Sequence, residues 1–511
     1  MDYVVIKVVI RSDASSYIGS GHIMRCLVLA DRLKLDGHEV TFATRPQNGD
    51  LNALIKKRGF NMYELQQPTD WVEPSTTADY AAWLQVSESE DAKECATAFY
   101  NPDLVITDHY AIGAKWHEIV KKSHNCKVIA IDDLVRAHNA ELIIDQTLLR
   151  EPSEYSVLNP RTKALTGTEY AIVNPLFSKH HKSQLMLDTK LVDKPRVLLS
   201  MGGIDAPNAT EHVLAVLRQS ISPPETTVLL SPRAPHYNRI KEFAEENSAW
   251  VTHVDFVDDM ADLMCKHDIA IGAPGSTSWE RACVGLPSIV IALADNQQTI
   301  CKNLEAVGAA ISVELNTINK NLMNAYEQLI KNYSEMRAIN LKLCDGRGLD
   351  RIMKQINKLF NNTLSLRFAT SKDIEQVYNW QCEPETRRYA LNKNVPSLAE
   401  HTTWMTKKLA SENDYFYIIE LAASKCEKKT PVGVVRLDQS GEETYTISIF
   451  IAPEHFGKGI AKYALMQVDI LHPKEFIKAV VLKENIASQT LFSRAGYTRV
   501  NEEQFTRQPV E

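Results

Sequence analysis

From residue 4 to about residue 313, short runs of β-branched and other apolar residues alternate with helix-length amphipathic stretches. This alternation predicts parallel sheets covered by helices on both faces, because a parallel strand needs a crossover connection to reach its neighbour. The predicted strands of the first part are 4–11, 39–44, 104–107, 128–131 and 142–144. Those of the second are 196–201, 227–230, 269–272 and 288–293. Between the two sets, residues 178–194 are polar, carry His180, His181 and several lysines, and lack periodicity, which predicts an interdomain hinge. A second break falls at 359–365, where a helical pattern stops and a strand-like run begins. Beyond it Thr370-Ser371-Lys372-Asp373 has the form of a capping box, and most strands then run consecutively before a late helix, the order of an α+β domain. The expected domains are 1–177 and 195–358, both α/β and doubly wound, and 364–511.

Length agrees with several domains, since 511 residues exceed what one hydrophobic core supports. A content of 44% hydrophobic and 24% charged residues belongs to an ordinary globular chain rather than a disordered or fibrous one. The formal net charge of −7 provides no basic field for nucleic acid, so small-molecule chemistry is the better expectation. Nine scattered cysteines without a C-x-x-C spacing read as reduced core thiols of a cytosolic protein. The first ten residues hold one lysine and no small-residue cleavage site, and no run approaches ~20 apolar residues. A cytoplasmic location without membrane association is expected.

Three loops carry candidate chemistry. Gly19-Ser20-Gly21-His22 follows the first strand and opens an amphipathic helix. Glycine there lets backbone approach a ligand, and the helix N-terminus offers free N–H groups to a phosphate. His22 could take a proton from water, or simply cap the helix. Ser200-Met201-Gly202-Gly203-Ile204-Asp205, with Asn208 at a helix start, repeats this arrangement in the second part. Gly275-Ser276-Thr277-Ser278 leads into a third helix that carries Glu280 and Arg281. Its backbone suits a diphosphate and Glu280 suits ribose hydroxyls, although hydroxyl N-capping and a dipole-matched carboxylate account for the same residues. Asp132-Asp133 after a strand is read as turn capping, and no metal is expected.

Residues 1 to about 350 resemble the UDP-2,4-diacetamido-2,4,6-trideoxy-β-L-altropyranose hydrolases of pseudaminic acid biosynthesis, relatives of the two-domain GT-B glycosyltransferases. The resemblance rests on RSDASSYIGSGHIMRCLVLA, TDHYAIGAKW, IDDLVRAHNAELIIDQ, SMGGIDAPNAT and IGAPGSTSWERACVGLPSIVIALADNQ, in that order. It implies that His22 activates water for inverting attack at the anomeric carbon without a metal. Glu280 and Gly275 to Ser278 would then hold ribose and diphosphate. Asp13, Arg25, Asp108, His109 and Tyr110 would face the sugar, with Asn296 and Gln297 across the cleft. Thr147 stands where the family usually has asparagine after Asp145-Gln146.

In the last part, TYTISIFIAPEHFGKGIA runs from an apolar strand through a turn into a helix, with Gly457-Lys458-Gly459-Ile460-Ala461 at the junction. Small residues at such a turn expose backbone N–H groups to a pyrophosphate. Residues 364 to about 500 resemble the GNAT acetyltransferases, whose loop is commonly [QR]-x-x-G-x-[GA]. Gly459 and Ala461 match, and Phe456 replaces the usual first residue. The resemblance implies acetyl-CoA as acetyl donor, with Asn485 and Ser488 beside the cofactor arm and the backbone near Ile449 to Ile451 polarising the thioester. Phe492 occupies the position of a common tyrosine acid, which leaves water or Tyr497 to protonate the thiolate. Trp380, Arg387, Tyr389, Trp404 and Tyr415 either line the acceptor pocket or pack in the core.

Together the resemblances imply a bifunctional enzyme that 4-N-acetylates a UDP-amino sugar and then hydrolyses the product, with other enzymes of the pathway as candidate partners. The alternatives are the same chemistries on another surface-polysaccharide sugar, a GT-B glycosyltransferase fused to an acetyltransferase, or a sugar-nucleotide-binding regulator without turnover.

Overall fold

The computed structural model describes residues 6–76, 78–187, 191–360, 364–421, 429–457 and 459–509. The chain divides into two compact units, Ile6–Lys354 and one that takes in Gln355–Glu511.

The first unit holds two parallel sheets. One comprises β1 (Lys7–Ser12), β2 (Glu39–Thr44), β3 (Asn61–Glu64), β4 (Leu104–Asp108), β5 (Lys127–Ile131), β6 (Leu142–Asp145) and β7 (Lys163–Thr166), in the order β3-β2-β1-β4-β5-β6-β7. The other comprises β8 (Val197–Ser200), β9 (Thr226–Leu229), β10 (Val251–Val254), β11 (Ile269–Gly272), β12 (Ser288–Val290) and β13 (Ala310–Ser312), in the order β10-β9-β8-β11-β12-β13. Both orders reverse beside the first strand of their sheet, the doubly wound Rossmann-like topology. Central strands such as β4 and β6 are buried along their whole length, as helices on both faces require. Strands β3, β7, β10 and β13 were absent from the sequence expectation, and all four are sheet edges. An edge strand pairs on one side and is covered less, so NMYE or AIS need not form an apolar run. In the first strand, residues 4 and 5 lie outside the described residues.

The first part of the expected hinge at 178–194 is instead helical, as far as Leu185, and residues 188–190 lie outside the described residues. Asn174 accepts a hydrogen bond from the Leu176 N–H, Pro175 takes the first helical position, and the helix Pro175–Leu185 follows. Phe177 packs in the core of the second half, and the His181 Nδ1 lies 2.7 Å from the Cys283 carbonyl. The crossover into the second half is therefore complete before residue 178. The halves are tied by Asn303 Nδ2 donating to the Leu148 carbonyl at 2.7 Å and by Gln146 Nε2 donating to Ser276 Oγ at 3.2 Å. Arg233 reaches the Gly49 carbonyl. The chain then returns to the first half, where Arg32 meets Asp350 at 2.6 Å.

The second unit is a seven-stranded sheet of β14 (Leu364–Phe368), β15 (Tyr415–Leu421), β16 (Thr430–Gly441), β17 (Thr444–Ile451), β18 (Phe476–Val480), β19 (Thr498–Arg499) and β20 (Gln504–Arg507). Neighbours are antiparallel except β17 and β18, and helices cover both faces around separate apolar clusters. The expected capping box is present, with Asp373 Oδ2 accepting from the Thr370 N–H at 2.7 Å. No helix among the described residues is long and apolar enough to cross a membrane.

Candidate functional site

At the first sheet's reversal point, β1 and β4 run side by side and their carboxyl ends open a crevice. The loop after β1 turns at Gly19, whose φ of +77° suits glycine, and enters the helix Gly21–Leu35. A Cβ on Gly19 or Gly21 would meet nothing within 4 Å, so that helix start is open to a ligand. β4 ends at Asp108, which is fully buried. The Nδ1 of His22 lies 2.6 Å from Asp108 Oδ1, while Arg25 donates to the same carboxylate through Nε at 2.6 Å and NH2 at 2.7 Å. Burial alone would raise the Asp108 pKa, but Arg25 and His22 outweigh it and hold the carboxyl well below its ordinary range. An ionised Asp108 accepts a hydrogen bond from Nδ1–H, and the tautomer it selects presents Nε2 as an acceptor. Arg25 also donates to Asp133 Oδ2 at 2.8 Å, and the Tyr110 hydroxyl reaches that oxygen at 3.0 Å. Asp132 bonds Arg136 at 2.8 Å, so each of the paired acids has a guanidinium partner. Among the described residues no group of three metal-ligating side chains forms.

Asp13 and His109 lie deeper. Asp13 Oδ1 accepts from Arg11 at 2.6 Å and from the Arg45 N–H at 2.7 Å, which anchors the base of the loop. Burial lowers the His109 pKa to about 4 despite nearby Asp13, leaving it neutral. Its Nε2 stands 3.6 Å from Asp13 Oδ2. Trp83 and Tyr80 belong to no motif, yet they border this site. Trp83 is T-shaped to His22 at 6.3 Å between ring centroids, and Tyr110 lies 4.7 Å from His22. Tyr80 packs on Trp83 at 4.8 Å and on Tyr110 at 4.9 Å. The available sequence signal was an aromatic pair three residues apart in a short, mostly apolar run, residues 80–86, between polar stretches. Around His22, the buried atoms Trp83 Nε1, Asp13 Oδ2, His109 Nε2 and Asp133 Oδ1 have no hydrogen-bond partner. Each such group costs roughly 1–3 kcal/mol when left unmet.

The second sheet reverses between β8 and β11, and its loops face the first half. A Cβ on Gly203 would lie 3.3 Å from Ser20 Oγ, which brings the two glycine loops together. Gly202 has a φ of +84° and open space beside it, whereas Asp205 turns back to accept from the Ala209 and Thr210 N–H groups at 2.9 Å each. Gly275 precedes the helix Ser276–Cys283 with a φ of +154°. Ser278 Oγ accepts from the Gly275 N–H at 3.3 Å and Ser276 Oγ from Gln146, while Thr277 is half-buried. Ser278 thus caps its own helix. Glu280 is half-buried, and burial raises its pKa to about 7 against the pull of Arg281. Gln297 Oε1 accepts from the Leu293 N–H at 2.8 Å and so braces its own loop; the Asn296 side chain lies outside the described residues. Gln298 lines an open cavity of about 680 Å³ with His212, Glu314 and Asn316.

In the second unit, β17 pairs with β18 only as far as Ile447 and Ala479, whereas β17 continues to Ile451. The edge of residues 448–451 that faces away from β16 is left without a strand. The chain then turns through Gly457 (φ +76°) and Gly459 (φ +68°) into the helix Ile460–Leu471, and a Cβ on Gly457 would meet nothing within 4 Å. This open turn fits a pyrophosphate. Lys458 lies outside the described residues, Ile460 is buried, and Ala461 is half-buried. Asn485 caps the following helix, its side-chain oxygen accepting from the Ser488 backbone N–H at 3.1 Å. Phe492 is core. Tyr497 is buried too, and burial, reinforced by Asp469, raises its hydroxyl pKa. Trp380 is core, while Trp404 holds Arg436 over its ring at 5.0 Å.

Two facing Rossmann-like halves give the first unit a GT-B-like fold, and the splayed mixed sheet with its glycine turn gives the second an α+β fold similar to GNAT domains. Residues 363–498 match the family described as Acetyltransferase (GNAT) domain, and residues 207–367 match the Glycosyltransferase family 28 C-terminal domain. The chain is similar to an uncharacterized protein of Methanocaldococcus jannaschii, 23% identical over 515 residues that cover 96% of this chain and 97% of the relative. It is also similar to the UDP-2,4-diacetamido-2,4,6-trideoxy-β-L-altropyranose hydrolase of Campylobacter jejuni, 26% identical over 297 residues that cover 57% of this chain and 94% of the relative. Among solved structures, Acinetobacter baumannii MurG aligns with a TM-score of 0.48 and 16% identity over 69% of this chain and 99% of its own.

Proposed function

We propose that the first unit hydrolyses UDP-2,4-diacetamido-2,4,6-trideoxy-β-L-altropyranose to the free sugar and UDP, and that the second 4-N-acetylates its UDP-amino-sugar precursor. The observation that carries the first half is His22, held through Nδ1 by a buried, ionised Asp108 at the mouth of an open helix terminus. The water oxygen attacks the anomeric carbon, its proton passes to His22 Nε2, and the bond to the diphosphate oxygen breaks with its electron pair leaving on UDP. Departure of that trianion is favoured by the positive end of the helix Ser276–Cys283, and Glu280 holds the ribose. Inversion follows from the single displacement. The similarity to a hydrolase over 94% of its length supports the same reading.

For the second half, acetyl-CoA supplies the activated acetyl group. The turn at Gly457 to Ala461 receives its pyrophosphate, and the unpaired edge near Ile451 donates to the thioester carbonyl as the amine attacks. Phe492 has no proton to give and Tyr497 is enclosed, so solvent protonates the departing thiolate. The reading places the enzyme in the cytoplasm.

The test is mass spectrometry with ³¹P NMR on UDP-4-amino-4,6-dideoxy-N-acetyl-β-L-altrosamine, with and without acetyl-CoA. Wild type should yield acetylated free sugar and UDP, while His22→Ala should stop at the acetylated UDP-sugar. UDP release that appears only when a sugar acceptor is added would replace the hydrolase reading with a glycosyltransferase.

A further inference from the structure

Trp83 presents a donor that the protein itself does not use. Its indole is 4% exposed, its Nε1–H has no partner, and its ring centroid lies 6.3 Å from that of His22 and 6.4 Å from that of His109. Ile18, Tyr80, Tyr110 and Leu134 complete an apolar cluster with it. The backbone holds the ring in place: Gln47 Nε2 donates to the Trp83 carbonyl at 2.9 Å, and Asp79 caps the short helix Tyr80–Trp83. Beside a group placed to act on an anomeric carbon, this is a wall of aromatic carbon containing one unmet N–H.

An acetamido group matches that combination. Its methyl packs on aromatic faces and its carbonyl oxygen accepts from an indole N–H. A protonated amine matches poorly, because an ammonium has donors only and would leave the indole N–H unmet while losing its own hydration. Of the nearby carboxylates, Asp108 is held by Arg25 and His22 and Asp133 Oδ2 by Arg25 and Tyr110, while the unmet Asp133 Oδ1 can accept from an acetamido N–H as well as from an amine. We infer that Trp83 is the residue by which the hydrolase unit recognises the sugar's 4-acetamido group, so that UDP is removed only after acetylation. The inference rests on the hydrolase reading for its substrate, and it assigns Trp83 to specificity rather than to the reacting atoms. It would make the order of the two reactions a property of the second active site, with no contact between the units required.

The experiment pairs two probes, the UDP-sugar with a 4-acetamido group and its 4-amino precursor, with wild type, Trp83→Phe and Trp83→Leu. Hydrolysis rates are read together with calorimetric affinities in a His22→Ala background, where nothing turns over. Trp83→Phe keeps an aromatic ring in the wall and removes the N–H with part of the indole, while Trp83→Leu removes the aromatic face as well. Wild type should prefer the acetylated probe, and Trp83→Phe should lower its affinity and kcat/KM about tenfold while leaving the amine unchanged, as loss of one hydrogen bond requires. Trp83→Leu should lose more, with UDP affinity intact in both variants. An equal loss on both probes, or a loss of UDP affinity, would overturn the assignment by showing a structural role. If the acetamido preference appears in binding but no enzyme releases UDP, the inference stands and the hydrolase reading falls.

Discussion

Replacing Asp108 with asparagine separates charge from geometry at the centre of the site. The carboxylate fixes the proton on His22 Nδ1 and leaves Nε2 free to accept. An asparagine amide can instead donate to Nδ1, which moves the imidazole proton to Nε2 and removes the base while the ring stays in place. UDP release by Asp108→Asn should therefore fall on the order of 10³–10⁴-fold, as loss of tautomer control does in hydrolytic triads, with KM nearly unchanged. A comparable rise in KM instead would show that Asp108 touches the substrate. Sequence made His22 visible because a histidine follows a glycine loop. It could not pair His22 with Asp108, 86 positions away, since that contact exists only once β1 and β4 are neighbours. Nor could it tell that Asp205, Ser278, Gln297 and Asn485 serve as braces for their own loops, because a polar residue at a helix start suits capping and ligand binding equally.

At the scale of elements, the glycine turns were legible and the sheet edges were not. The apolar runs of β1, β4, β5 and β6 announced themselves because two covered faces leave no room for alternation. The edge strands and the Pro175–Leu185 helix have mixed faces and are fixed by pairing and capping, which a hydrophobic pattern does not record. The turn at Gly457 allows an element-scale test. With φ at +76°, an alanine there costs about 1 kcal/mol in backbone strain. Its methyl would also occupy the open side of the turn. Gly457→Ala should raise the KM for acetyl-CoA about tenfold, judged from the loss of one or two backbone hydrogen bonds to phosphate. UDP release from an already acetylated substrate should not change. Steady-state assays of both half-reactions check this, and a matching drop in UDP release would contradict it.

At the scale of the molecule, the two chemistries sit in units with separate sheets and separate apolar clusters. Among the described residues, each also has its own open glycine turns, at Gly19 and Gly275 in the first unit and Gly457 in the second. On the proposed function, coupling comes from the substrate, which would carry the acetyl group from one site and be recognised by it at the other. Such a design predicts complementation between separate molecules. His22→Ala should acetylate without releasing UDP, and Gly457→Val, with a β-branched residue at a left-handed position, should release UDP from acetylated sugar without acetylating. Neither alone converts the amino sugar to free acetylated product. Mixed, each at the wild-type enzyme's concentration, they should restore the wild-type steady-state rate, with a lag that shortens as both proteins are concentrated. The measurement is continuous UDP detection after addition of acetyl-CoA. A mixture that stays well below wild type at every concentration would mean that the intermediate passes within one chain, and the independence drawn from the fold would be wrong.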